Sequence, residues 1–179
     1  MTLEPLKPNQ GGFGRPLQCG LFIRSFLLGE APEGSTAIDP NRGATQSDIN
    51  YQYKEALARA TAREHAEKLI SRLVVNGVEV TEEQADTIYQ RQLQQISRKF
   101  THMRYHSFLV YFGMLKNLGW VEATQEIEPS AIQDNYPDAP SRVYYRLTPA
   151  GKEAVEELWS NPLFALHPEY GLNHRKKQH

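Results

Sequence analysis

Between Arg142 and Thr148 the chain changes its period. Val143, Tyr145 and Leu147 alternate with Arg142, Tyr144 and Arg146, the two-residue repeat of a half-buried strand. The repeat stops at Thr148-Pro149, and the stretch that follows is rich in alanine and glutamate, with Ala154, Val155, Leu158 and Trp159 supplying one buried side of a last helix. Threonine caps helices well, and proline suits the first helical position, where a missing N–H leaves no bond unmade. A strand delivered straight into a capped helix needs a partner strand before it. Trp120, Val121 and Thr124, directly after Gly119, are the β-prone residues placed to provide one across a polar loop.

Three helices are expected upstream. From Asp48 to about Asn76 the apolar residues Ile49, Tyr53, Leu57, Ala60, Leu69, Ile70 and Leu73 recur at roughly helical spacing, behind Asp48 as a cap and before Gly77. Thr81 followed by Gln84 is a capping-box pattern with acidic residues in the first turn, so a second helix begins there. Its apolar face is Tyr89, Leu93, Ile96, Phe100 and Met103, with an end or bend near Thr101. The third runs from about His106 to Leu118 and closes at Gly119.

Residues 1–47 are rich in glycine, proline and small polar residues and read as an arm or linker. Within them Leu21–Leu28, LFIRSFLL, is a short strand or a segment that docks, either on its own domain or on a partner. The organisation expected is therefore an arm over 1–47, a folded domain over 48–160 and an irregular tail over 161–179 ending in the basic HRKKQH. The start of the chain lacks the basic and continuously apolar stretch of a secretion signal, and no run is long enough to span a bilayer. With 40% hydrophobic residues, 23% charged residues and one cysteine, Cys19, a soluble cytoplasmic protein is expected.

Two segments in their order, MLKNLGWVEA (Met114–Ala123) and YYRLTPAGKEAV (Tyr144–Val155), resemble the recognition-helix exit and the wing exit of winged-helix regulators of the MarR and PadR kind, over residues 80–160. The resemblance implies a mostly α fold with a small β-hairpin: a winged helix-turn-helix carrying an additional long N-terminal helix and extended arms. It also implies that the Ser107–Leu118 helix enters a DNA major groove beside a wing that touches phosphates, which makes double-stranded DNA the expected partner.

The residues themselves offer matching chemistry. Between Ile88 and Val121 stand Arg91, Arg98, Lys99, Arg104 and Lys116 with no acidic residue, a distribution that neutralises phosphates even though the net charge of the chain is -1. Arg98, Lys99, Arg104 and Lys116 are the candidate phosphate contacts. Ser107, Tyr111, Lys116 and Asn117 are the candidate base readers, and Arg142 and Arg146 the accessory contacts.

Two features favour a protein partner instead. In the pattern that the resemblance implies, Phe108, Phe112 and Leu115 face the core, yet Leu109, Val110 and Met114 make the other faces of the third helix apolar too, as in a helix buried by its own chain or by a partner. The wing loop carries Glu122, Glu126, Glu128, Asp134 and Asp138 with no basic residue before Arg142, which a phosphate backbone would repel. An adaptor that uses the scaffold without touching DNA, meeting a partner through Leu109, Val110 and Met114, is the alternative. The long first helix is either a packing element of the same domain or a dimerisation helix, and with the apolar third helix a homodimer is expected over a monomer.

Catalytic and cofactor chemistry find little support. His102 and His106 share a helical face, but Met103 stands where a metalloprotease needs glutamate, and no cysteine or carboxylate completes a metal shell. The GGFG segment (Gly11–Gly14) has neither a preceding strand nor a following GK[ST]. No serine lies in a nucleophile elbow, and Cys19 has no base nearby in sequence. The expectation is a protein without enzymatic activity, metal or cofactor.

Overall fold

A computed structural model describes residues 17–96, 105–129, 135 and 141–170, the side chains of 105–107 excepted. The described chain is mostly helical with one three-stranded antiparallel sheet. In chain order come α1 (Cys19–Leu27), β1 (Ala44–Thr45), α2 (Gln46–Val75), α3 (Glu82–Gln95), α4 (Tyr105–Asn117), β2 (Val121–Glu128), β3 (Arg142–Leu147), α5 (Pro149–Glu153), α6 (Glu156–Ser160) and α7 (Pro162–Leu166). No helix among the described residues is long and apolar enough to cross a membrane.

The packed body begins well before Asp48. The segment expected to be a strand or a docking piece is helix α1, and it docks on its own chain. Phe22 and Phe26, and Ile23 and Leu27, stand four apart, so one helical face carries all four into the core. Around them close Ile49, Tyr53 and Leu57 of α2, Phe108, Phe112 and Leu115 of α4, and Trp120, Val121, Leu147 and Trp159. The Phe22 ring meets Tyr53 at 5.4 Å, and Phe112 meets Tyr145 edge-on at 5.2 Å. Gln18 caps α1 with no side-chain bond. The free N–H of Gly20 is met instead by the Tyr111 hydroxyl.

The sheet order is β1-β3-β2, with both pairings antiparallel. Trp120 leads into β2, and Val121 and Ala123 face Leu147 and Tyr145 of β3, so the expected hairpin is present. The third strand was not anticipated. It is two residues long, held where Gly43, at φ 77°, lies so close to β3 that a β-carbon would sit 1.9 Å from the Tyr145 carbonyl oxygen. Thr45 ends β1 and also caps α2, accepting from the Asp48 N–H at 3.2 Å; the cap expected at Asp48 therefore falls three residues earlier.

Helix α2 is buried from Ile49 to Ala66, and none of its residues is buried beyond that point. At its end the Val78 and Gly77 N–H groups return to the carbonyls of Leu73 and Val74, with Gly77 at φ 79°. That closure is a Schellman motif. Thr81 and Gln84 then form both halves of the expected capping box. Helix α3 runs back along the distal part of α2 but contains no buried residue. The second helix expected in the core is thus one limb of a two-helix arm, and the longer helices that share the core are α1, α2 and α4, with Trp159 of α6. A strained turn straps the body to the root of this arm. Ala31 and Glu33 take left-handed φ of 47° and 53°, a conformation that carries a cost for a residue with a side chain. The Glu33 carboxylate accepts from both Arg63 amino groups at 2.6 Å, and its carbonyl accepts from Arg59 Nε.

The carboxy-terminal part also departs from expectation. Thr148 caps with Pro149 next, accepting from the Gly151 N–H at 3.0 Å. The helix nevertheless stops at Glu153, and Ala154 and Val155 are extended before α6. The break turns Trp159 inward, where its Nε1 donates to the Gly151 carbonyl at 2.9 Å and its ring meets Trp120 at 4.8 Å. Val155, expected inside, is exposed. Pro162, expected in an irregular tail, is buried at the start of α7, which packs against α4.

Candidate nucleic-acid interface

Helix α4 divides into two faces. Phe108, Phe112 and Leu115 are buried as expected, and Leu109, Val110, Lys116 and Asn117 are exposed, with Met114 half-buried. Gly113 lies between them with nothing within 4 Å of where a side chain would stand. Another surface can therefore approach the backbone of α4 closely at that point. Lys116 rests its ammonium above the rings of Tyr145, at 5.1 Å, and Phe112, at 5.8 Å. This stacking keeps its stem along the body and its charge at the surface.

Tyr111 does not belong to this surface. Its hydroxyl points inward to the Gly20 backbone, and burial pushes it well above the usual tyrosine range, with Cys19 and Tyr53 adding to the rise. It cannot read a base edge from there. Ser107 lies on α4, but its side chain is outside the described residues, as are Arg98, Lys99, Arg104, His102, Asp134 and Asp138 altogether. Among the described residues no group of three or more His, Cys, Asp or Glu side chains is placed to hold a metal.

The wing is electrostatically different from its sequence. Its glutamates do not project as an unrelieved acidic edge. Glu122 is met by Arg146 at 2.9 Å, Glu126 by Arg42 at 2.5 Å, and Glu128 by Arg142, which also reaches Asp48 at 3.4 Å. Tyr144 donates to Glu128 at 2.6 Å beneath the Arg42 guanidinium, and that hydrogen bond, with some burial, raises the tyrosine above its usual range. Arg142 and Arg146 are therefore engaged by carboxylates on their own sheet. Arg42 is the member that sequence reasoning missed, because it lies in the stretch read as an arm. The pattern behind the rest was visible: glutamates on β2 and arginines on β3 recur with period two, and antiparallel pairing brings such positions onto one face.

No protein-family description, no curated protein and no solved structure matches this chain.

Proposed function

We propose that this chain is a winged-helix protein that binds duplex DNA through α4 and the basic segment leading into it. One observation carries this reading. Helix α1, the short β1, α2, then α4 directly before the β2–β3 hairpin, in a sheet ordered β1-β3-β2, is the sequence of parts in a winged helix-turn-helix. In that assignment α1, α2 and α4 are the three helices, α4 is the reader, and the arm made by distal α2 and α3 replaces the short turn before it.

The contact set differs from the one expected. Phosphate contact falls to Lys116 together with Arg98, Lys99 and Arg104, and base contact to Asn117 and Ser107. Leu109 and Val110 are suited to thymine methyl groups and not to hydrogen-bonded readout. Tyr111, Arg142 and Arg146 have no part in it, the first because its hydroxyl is turned inward to Gly20, the other two because glutamates hold them.

Duplex binding followed across a salt series tests the proposal. About four phosphate contacts give a log–log slope of about -3.6, and changing Arg98 and Lys99 together to alanine flattens it by about 1.8. Changing Arg142 and Arg146 leaves the slope unaltered. Absence of binding even at low salt overturns the DNA reading and favours the second one, an adaptor that meets a protein through α4. The observation favouring that alternative is the exposed apolar surface of Leu109 and Val110 beside Gly113.

A further inference from the structure

We propose that the tip of the arm docks on the exposed face of α4 in a second copy of this chain, and that the contact is made twice, once in each direction. At the tip stand Val74, Val75 and Val78, with Val75 85% exposed although the turn that holds it is firmly built. The Schellman closure at Gly77 and the capping box at Thr81 fix the backbone on either side of these valines. A rigid turn that displays three valines to water is an uncompensated cost unless something covers them.

The α4 face is the matching surface. Val110 is 57% exposed beside Leu109, and Gly113 leaves room for a knob to approach the helix backbone. Charge agrees in sign. The tip carries the exposed Glu79, Glu82 and Glu83 against a single exposed cation, Arg72, whereas α4 carries Lys116 and no acidic residue. An acidic and apolar tip thus meets a cationic and apolar helix. Two tips would repel one another, and two α4 faces would gain no opposite charge.

The occupant must come from another copy. Helix α2 is continuous from the body to the tip, so the arm cannot bend back onto its own α4. The tip lies nine residues beyond Ala66, the last buried residue of α2, about 14 Å out along the axis. Each copy owns one tip and one α4 face, so a two-fold arrangement closes with two identical contacts. Should α4 be the DNA surface, this dimer masks it; that consequence rests on the function proposed above, while the association itself does not.

Sedimentation velocity of the full chain over a concentration series tests the association. The wild-type mass is expected to rise from 20.4 kDa toward twice that value, and Val75→Asp and Val110→Asp each to remain monomeric. Both positions are exposed, so neither substitution disturbs the core, and Val155→Asp, at an exposed valine elsewhere, should associate like wild type. The decisive sample is an equimolar mixture of the two monomeric variants. One of the two contacts survives in a mixed pair, so dimers should reappear, fewer than in wild type. A wild-type chain that stays monomeric, a single variant that still dimerises, or a mixture that remains monomeric overturns the proposal. Duplex titration separates the two ideas: masking predicts tighter DNA binding by Val75→Asp than by wild type, whereas no binding by either overturns the DNA function and leaves the sedimentation result to decide the dimer.

Discussion

Gly20→Ala should destabilise the protein, although helix propensity alone says the opposite. Gly20 lies in α1, where alanine is favoured over glycine by up to about 1 kcal/mol. A β-carbon there would stand 1.9 Å from the Trp159 carbonyl oxygen and 2.5 Å from the Tyr111 hydroxyl, against an ordinary contact of 3.4 Å or more. Helix α1 and the end of α6 must separate by roughly 1.5 Å, a degree of overpacking that costs about 1–3 kcal/mol. The Tyr111 hydroxyl also loses its place on the Gly20 backbone, and a buried polar group left unpaired costs about 1–3 kcal/mol more. Set against the propensity gain, the net loss is about 3 kcal/mol, or a fall in Tm of roughly 6–12 °C for a chain of this size. Thermal and urea unfolding followed by circular dichroism measure it. Gly113→Ala is the matched control. It too lies within a helix, α4, but with open space around the added methyl, so it should stabilise by about 0.5–1 kcal/mol. If Gly20→Ala is neutral or stabilising, the close seating of α1 on α6 and Tyr111 is wrong.

Thr81→Ala removes the capping box of a helix that has no fully buried residue and packs on distal α2, so it should cost the arm about 1 kcal/mol. Hydrogen exchange in α3 should speed up about fivefold while the global Tm barely moves. Trp159→Phe leaves the Gly151 carbonyl without its indole donor inside the core and should lower stability by about 1–3 kcal/mol in urea titration. Hydrogen bonding from Arg63 holds the Glu33 carboxyl below its usual value of 4.5. Its stabilisation is therefore present above the range in which the unfolded carboxyl titrates, and is lost as pH falls through the lower folded value. Glu33→Gln should cost at most about 1 kcal/mol at neutral pH, the pair being partly exposed. The gap to wild type should narrow as unfolding is measured at pH 4 and below, and a gap independent of pH would exclude the ion pair as its source.

Local chemistry wrote the end of α2, the start of α3, the end of α4 and the exit of the hairpin into the sequence, whereas α2 begins three residues before the expected cap and α3 stops at Gln95, short of the end expected near Thr101. Gly77, Thr81 with Gln84, Gly119 and Thr148-Pro149 act through backbone bonds within a few residues of themselves, so their effect is decided before any tertiary contact forms. The positions of α4 that enter the core, Phe108, Phe112 and Leu115, were legible only through the family resemblance, since the helix is apolar on its other faces as well. Tertiary structure decided the matters that depend on distant neighbours. The segment Leu21–Leu28 is short enough to satisfy either period, and only the space between α2, α4 and Trp159 makes it a helix of the core. Ala154 and Val155 interrupt a stretch suited to continuous helix because Trp159 gains a hydrogen bond and an aromatic neighbour by turning inward. The Tyr111 hydroxyl turns inward because Gly20 leaves room for it, and the wing's glutamates are neutralised because strand pairing and Arg42 bring cations across to them. Sequence records what a residue does to its own backbone; which face of a helix or strand is left for a partner depends on packing with residues far along the chain, and no local pattern contains that.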